Sequence, residues 1–312
     1  SKNVKALEEL IKILQLFKKA NIKNIILKGP YLAENIYPRP EMRAYDDIDV
    51  LVQKKNVERC KEIISQLGYE QIGDKGGLFE KQGRAQYHFR KSNKEMDLHW
   101  EPINNKWYPN VSSFFEEHIW QEARQINFKN ATTWELSPEV LLTYQCIHLS
   151  IHHKFEKLIW FKDVDVVLRA AKIDWSSFIK KVKKYNLATY SYYALLFTRQ
   201  LFSSPVPESV LEEIRPKYLS ARIFEYLLNR ENFFRLHDKK RKLAVQVWRI
   251  CRDTFTERLK AFYWRFFPSI EWYLCYYPFL PKIKKIYYYP FYPLLIVLRL
   301  IRKPTNSLSL EE

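Results

Sequence analysis

The sequence predicts an α+β fold in which a small mixed β-sheet domain is followed by an all-helical domain. Short runs of β-type residues alternate with amphipathic helical segments only in the first part of the chain. From residue 136 onward the apolar residues keep helical spacing, and six glycines among 312 residues are too few for the tight turns of an all-β protein. A hydrophobic fraction of 47% is enough for an ordinary core and excludes wholesale disorder.

The elements of the first region follow from periodicity, proline positions and one glycine. Apolar residues at helical spacing between Leu7 and Phe17 predict a helix, and residues 24–27 predict a short strand. Pro30 suits the first turn of a helix over 30–36, which Pro38 would end. The other predicted elements are a strand at 46–52, a helix at 56–67 ended by Gly68, and strands near 77–81, 86–91 and 95–99.

The second region begins with a clear helix start, because Ser137 is a good N-cap residue and Pro138 suits the first helical position. Helical periodicity then predicts helices at 141–151, 161–171, 175–185 and 188–201. We therefore divide the chain into a catalytic α+β domain at 1–135, a helical domain at 136–234 that closes the cleft, and a basic, aromatic helical region at 235–312.

The last region has an unusual composition. Residues 235–312 hold sixteen basic and six acidic residues, which account for ten of the seventeen net positive charges. Sixteen aromatic residues lie between Phe255 and Tyr292. Helical packing onto the second domain explains this composition, and so would binding of nucleic acid or of a membrane surface. The purest apolar run, at 294–298, is far shorter than the ~18 residues of a spanning helix.

Two acidic strands carry the strongest signal for chemistry. Side chains two residues apart on a strand share a face, so Asp47 and Asp49 point the same way while Ile48 and Val50 point into the core. Asp97 lies on a second strand of this kind, together with His99 on its face. Adjacent ionised carboxylates repel each other, and a divalent cation such as Mg²⁺ removes that repulsion. Three carboxylates can hold two metals roughly 4 Å apart.

The segment before the acidic strand suits a phosphate. Lys28 and Gly29 lie between a strand and the start of a helix, where free N–H groups, close backbone approach and an ammonium can hold an anion. Arg43 precedes the acidic strand and is expected to reach the same phosphates. His99 has two interpretations, as a contact to the acceptor or phosphate and as a hydrogen-bonded structural histidine.

His148 and His152 are four residues apart on a predicted helix, which satisfies the spacing of metal ligands. Leu149 occupies the position where an HExxH motif has its glutamate. With Asp163 on the next helix, these residues allow a His/Asp metal hydrolase. They also allow His–Asp hydrogen bonds between packed helices, or a lining of the cleft that contacts substrate.

An ordered set of motifs runs through the first two regions: Leu27-Lys28-Gly29, Leu32-Ala33, Tyr37-Pro38, Arg43, Asp47-Ile48-Asp49, Asp97-Leu98-His99-Trp100, Leu136-Ser137-Pro138-Glu139, His148, His152, Asp163, Asp174-Trp175 and Pro205-Val206-Pro207. In this order they resemble the uncharacterised nucleotidyltransferase family of bacterial genomes, within the polymerase-β-like nucleotidyltransferase superfamily. The likeness spans residues 1–210. The glycine-serine pair of the wider superfamily is absent, and Lys28-Gly29 stands in its place.

The resemblance implies a Mg²⁺-dependent transfer of a nucleoside monophosphate from an NTP, with release of pyrophosphate. Asp47 and Asp49 would bind Mg²⁺ (Mn²⁺ is an alternative), and Asp97 would bind the catalytic metal and act as base. Lys28, Gly29, Arg43 and His99 would bind the nucleotide. The acceptor would be a small molecule, glycan, peptide or RNA, and DNA is not expected.

Two other functions remain open on the residues alone. A metal-dependent glycosyltransferase also uses a DxD pair, although its fold needs several parallel strands with intervening helices. A non-catalytic basic module would bind RNA or a membrane through the tail. Four cysteines without a CxxC pair indicate a reducing compartment, and no signal peptide is evident, so we expect a cytoplasmic protein with a tail suited to peripheral membrane contact.

Overall fold

The computed structural model of the chain describes residues 2–73, 85–103, 108–228, 232–268 and 289–294. The strand predicted near 77–81 lies outside these residues. Two compact units are present, Ser1–Asp253 and Thr254–Glu312.

A seven-stranded mixed sheet forms the centre of the first unit. Its strands are β1 (Asn24–Ile26), β2 (Asp47–Val52), β3 (Glu70–Ile72), β4 (Gln86–Lys91), β5 (Lys94–His99), β6 (Arg124–Phe128) and β7 (Ala131–Glu135). Their order across the sheet is β3-β4-β5-β2-β1-β7-β6. Strand β2 pairs in parallel with β5 and antiparallel with β1, so it lies in the middle of the sheet with neighbours on both sides. The acidic strand is therefore held rigidly by two ladders of hydrogen bonds.

Helices alternate with these strands along the chain, and only helices follow β7 among the described residues of this unit. In chain order they are α1 (Lys2–Lys19), α2 (Pro30–Asn35), α3 (Val57–Gln66), α4 (Pro109–Glu122), α5 (Pro138–Ile147), α6 (Leu158–Ala170), α7 (Trp175–Lys184), α8 (Ala188–Phe202), α9 (Glu208–Ile214), α10 (Leu219–Leu227) and α11 (Lys239–Trp248). The apolar sides of α1 and α3 join the buried face of the sheet in one core cluster, which continues into α5, α6 and α8.

The structure confirms the predicted α+β class and most of the predicted elements. It adds α4, β3, β6 and β7, which the sequence analysis did not predict. In β6 only Phe128 is buried, so its polar pattern carries no strand signal. The strand forms because a two-residue turn, with Lys129 at φ 54°, folds it back onto β7, which itself pairs with β1.

The helix predicted at 141–151 differs from the prediction at its end. Helix α5 stops at Ile147, and residues His148–His152 continue as one turn of π-helix. The extra residue in this turn shifts the side chains that follow it around the helix axis. The His148 and His152 rings stack on each other within this turn, with ring centroids 5.5 Å apart.

In the second unit, the described elements are helix α12 (Phe255–Phe266) and a short 3₁₀ turn at Tyr289–Phe291. A capping box starts α12: the Glu257 amide donates to Thr254 Oγ1 at 3.2 Å, and the Thr254 amide donates back to the Glu257 carboxylate. A search of the described residues for helices apolar and long enough to cross a bilayer found none.

Candidate active site

The acidic site lies where β2 and β5 run side by side. The parallel register places Asp49 directly beside Asp97, while Ile48 and Val50 lie beside Met96 and Leu98. The four apolar side chains of these two rows are buried in the core. Because side chains alternate between the faces of a strand, both carboxylates emerge on the opposite face.

One group of side chains in the described part of the chain has the geometry of a metal site. Ligand atoms of Asp49, Asp97 and His99 all lie within 4.8 Å of one another. Two carboxylates on adjacent strands are the protein ligands that Mg²⁺ usually receives, with substrate phosphates completing its coordination. These donors therefore fit a divalent cation.

Asp49 is the buried centre of this group, with 2% of its surface exposed. Its Oδ2 lies 3.3 Å from Lys28 Nζ, and its Oδ1 lies 3.0 Å from His99 Nε2. Burial alone would raise the pKa of Asp49, but the charge of Lys28 and the hydrogen bond to His99 outweigh it and hold that pKa well below its usual range. Asp49 is therefore an ionised carboxylate at neutral pH.

Asp47 is in a different electrostatic position. Its side chain is partly exposed, and Lys28 Nζ lies 3.7 Å from its Oδ2. The charge of Asp49, together with burial, raises the pKa of Asp47. Repulsion within the acidic pair is thus concentrated on Asp47, which is the carboxylate that a cation would relieve most.

Asp97 is bound from the neighbouring strand β4. Gln86 Nε2 donates a 3.1 Å hydrogen bond to Asp97 Oδ2, and the His88 imidazole contacts Oδ1. The sequence analysis did not identify either β4 residue. The available signal was their spacing, because Gln86 and His88 lie two apart on a strand adjacent to β5 and so share the acidic face.

Lys28 and Gly29 form the turn from β1 into α2. Gly29 has φ 43°, and a Cβ there would lie 3.3 Å from Tyr45 Cβ and 3.5 Å from the Asp47 carbonyl oxygen. The turn therefore packs closely on the start of β2 and brings Lys28 to the acidic pair. Burial disfavours its ammonium, but Asp49 and Asp47 overcome this and raise the pKa of Lys28 above its usual value. In this structure Lys28 is the counter-charge of Asp49 and, at a longer distance, of Asp47.

Arg43 is bound to a carboxylate outside the acidic group. Its guanidinium makes a two-pronged contact with Asp163 on α6, from Nε to Oδ1 at 2.7 Å and from the terminal Nη2 to Oδ2 at 2.8 Å. Tyr37 donates a 2.8 Å hydrogen bond to the same carboxylate. All three groups are buried. The network joins the segment before β2 to the helical part of the first unit.

The histidines of the π-helical turn form a cluster of their own. His153 Nε2 lies 3.1 Å from His148 Nε2, and the His153 ring stacks on Trp160. Desolvation lowers the pKa of His148 well below its usual value, that of His152 to about 4 and that of His153 to about 2. The charge of Lys28 contributes to all three shifts, so this neutral cluster lies near the acidic site.

Sequence comparison with known families adds the class of protein. Residues 1–203 match the family model described as uncharacterised nucleotidyltransferase, and the chain belongs to this family. No curated protein matches the sequence. The chain is an enzyme of the nucleotidyltransferase class, as the resemblance implied, and the match favours this class over a glycosyltransferase and over a non-catalytic module.

Solved structures with a similar fold include three that are distant in sequence. The solution structure of the antibiotic-resistance factor ANT(2'')-Ia is 13% identical, with a TM-score of 0.42, covering 64% of this chain and 98% of that one. A nucleotidyltransferase-like antigenic protein from Paracoccidioides brasiliensis is 14% identical, with a TM-score of 0.42, covering 67% and 93%. A tRNA nucleotidyltransferase with primer tRNA and an ATP analogue is 13% identical, with a TM-score of 0.27, covering 92% and 98%.

Proposed function

We propose that this enzyme transfers a nucleoside monophosphate from an NTP to a hydroxyl-bearing acceptor, with a divalent cation, in the manner of the polymerase-β-like superfamily. The observation that carries the proposal is the pairing of Asp49 with Asp97 on parallel neighbouring strands, with His99 beside them. Asp49 and Asp97 would hold Mg²⁺ or Mn²⁺, and Asp47 would bind at the exposed edge of the same site. The bound cation would neutralise the developing charge on the triphosphate.

The residues of the chain have distinct tasks in this scheme. Asp97 is partly exposed and hydrogen-bonded from β4, so it is positioned to accept the proton of the acceptor hydroxyl. The acceptor oxygen then attacks the α-phosphorus, and the bond between that phosphorus and the pyrophosphate oxygen breaks. Asp49 is held ionised by Lys28 and His99, so it is ready to bind a cation without first losing a proton.

We propose different roles toward the nucleotide for Lys28, Gly29 and Arg43. A cation bound by the carboxylates would take over the role of counter-charge and leave the Lys28 ammonium available to a phosphate. Gly29 lets the same turn pack closely on the start of β2, which keeps Lys28 beside the acidic pair. Arg43 is bound to Asp163, so we assign it a positioning role for the start of β2 rather than a phosphate contact.

The acceptor is proposed to be a small molecule, glycan, peptide or RNA, and its site is proposed to lie beside the histidine cluster of the π-helical turn. These imidazoles are neutral at pH 7 and can donate or accept hydrogen bonds without adding charge. The activity is proposed to be cytoplasmic, with a C-terminal unit that contacts a membrane surface.

The test is pyrophosphate release by the purified full chain with each of the four NTPs, Mg²⁺ or Mn²⁺, and a cell lysate as the source of acceptor. Asp49→Asn and Asp97→Asn should each lower the rate by about 10²-fold or more, because each removes a charge from the transition-state site. Asp46→Asn is the matched control, since Asp46 is exposed and directly precedes β2.

A second readout separates a lost site from a lost fold. Mg²⁺ with an NTP should raise the melting temperature of the wild type and of Asp46→Asn, and should raise that of Asp49→Asn much less. Equal rates and equal ligand-induced shifts in all four proteins would contradict the proposed site.

A further inference from the structure

Helix α12 of the second unit carries an exposed apolar surface. None of its twelve residues is buried, yet it is rich in large apolar side chains. Phe255, Leu259 and Phe262 are 69%, 57% and 51% exposed. Packing against the described residues of the second unit therefore does not explain the apolar composition of this helix.

Apolar residues of α12, three of them exposed and Phe266 half-buried, form one stripe along the helix. Phe255, Leu259, Phe262 and Phe266 follow each other at intervals of four, three and four residues, which places them within a narrow arc of the helix surface. Tyr263 and the following Phe267 extend this stripe on one side. A cleft of about 690 Å³ opens beside it, between the apolar side of α12 and Pro293.

Basic residues flank the stripe on both sides. At ~100° per residue, Arg258 and Arg265 lie on one flank and Lys260 on the other. Glu257 projects toward the opposite side of the helix, where its backbone and side chain complete the cap. An apolar stripe with basic flanks matches an anionic bilayer surface, which presents acyl chains below a layer of negatively charged headgroups.

The aromatic rings of the stripe favour lipid over nucleic acid. Phe262 and Phe266 pair with ring centroids 4.8 Å apart, and Tyr263 stacks on Phe267 at 5.1 Å. Ring faces that pack on each other are less available to stack on bases. Leu259 adds an aliphatic side chain to the centre of the same stripe, which also suits acyl chains rather than bases.

We propose that α12 lies in the interface of an anionic bilayer, with its Phe255–Leu259–Phe262–Phe266 stripe toward the acyl chains and Arg258, Lys260 and Arg265 at the headgroup phosphates. This surface goes beyond nucleotidyl transfer, because it would bind vesicles without an NTP, a metal or an acceptor. It would place the enzyme beside acceptors that are attached to or delivered at a membrane.

The experiment is co-sedimentation of the full chain with vesicles of phosphatidylcholine, alone or mixed with phosphatidylglycerol. Wild-type protein should sediment with the mixed vesicles, less so as salt is raised, and much less with phosphatidylcholine alone. The double variant Leu259→Asp, Phe262→Asp should bind the mixed vesicles about tenfold or more weakly, because two anions replace two of the apolar anchors.

Two further variants separate the local surface from the overall charge. Arg258→Glu with Arg265→Glu should weaken binding strongly. Lys18→Glu with Lys19→Glu changes the total charge equally at the exposed end of α1 and should leave most of the binding intact. The melting temperature of each variant is measured beside that of the wild type, which distinguishes a lost surface from a lost fold.

Three results would overturn the proposal. The first is a wild-type chain that does not sediment with anionic vesicles. The second is a Leu259→Asp, Phe262→Asp variant that sediments as the wild type does. The third is a Leu259→Asp, Phe262→Asp variant that keeps vesicle binding but loses either the binding of a fluorescent single-stranded RNA or self-association measured by light scattering. Helix α12 would then be an RNA-binding or a dimer surface. Nucleotidyl transfer would stand in each case.

Discussion

Replacing Asp163 by asparagine should destabilise the first unit by ~3–5 kcal/mol, the usual cost of breaking a buried ion pair from one side. The Asp163 carboxylate is 1% exposed and accepts hydrogen bonds from Arg43 at 2.7 and 2.8 Å and from Tyr37 at 2.8 Å. Asparagine keeps the shape of the side chain but leaves the buried Arg43 guanidinium without a counter-charge. Most of the expected loss is the desolvation of that cation.

Two variants give the scale for this measurement. Tyr37→Phe removes one hydrogen bond to the same carboxylate and should cost ~1.5–3 kcal/mol. Asp174→Asn makes the same chemical change at the exposed N-cap of α7, where Asp174 accepts from the Ser177 amide, and should cost only a few tenths of a kcal/mol because asparagine caps helices equally well.

The assay is urea unfolding followed by circular dichroism, with the slope compared between variants to verify that the same surface unfolds. The expected order of loss is Asp163→Asn, then Tyr37→Phe, then Asp174→Asn. If Asp163→Asn costs less than ~1 kcal/mol, the buried pair does not tie the segment before β2 to α6, and the positioning role assigned to Arg43 is wrong.

Four other substitutions test the site and the sheet. Without metal, Asp49→Asn should lower the melting temperature because Lys28 and His99 lose their partner. Asp47→Asn should leave the melting temperature unchanged or raise it, since Asp49 already disfavours the charge of Asp47. Equal effects of the two substitutions would contradict the assigned pairings. Gly29→Ala should lower the free energy of unfolding by ~1 kcal/mol or more, because φ is 43° and the new Cβ would lie 3.3 Å from Tyr45 Cβ. Urea unfolding measures this loss, and an unchanged midpoint would refute the close packing. Glu9→Gln should lower the free energy of unfolding by on the order of 2 kcal/mol at pH 7 and by almost nothing at pH 2. The reason is that hydrogen bonds from Lys91 and Lys12 outweigh burial and lower the pKa of Glu9 from 4.5 to about 2. A carboxylate with a lowered pKa stabilises the fold above its unfolded pKa and loses that stability as pH falls between about 4.5 and 2, so a pH-independent difference in thermal melts would exclude this origin.

The residues of the acidic face could be predicted because strand periodicity is a local property. Alternation along β2 is enough to place Asp47 and Asp49 on one face, and alternation along β5 places Asp97 and His99 on one face. The polar strand β6 escaped prediction, since its stability comes from pairing with β7 rather than from its own hydrophobic pattern. Local patterning decides which residues share a face and leaves open which faces meet.

The α+β class, the acidic strands and the turn that carries Lys28 could be predicted from the order of residues along the chain. The parallel pairing of β2 with β5, which places Asp49 beside Asp97, and the contact of Lys28 with Asp49 depend on how the chain packs. The same is true of the ion pair between Arg43 and Asp163, which are 120 residues apart along the chain. Charges interact through space, so the partner of a buried ion depends on which strands and helices pack together, and that packing involves the whole core.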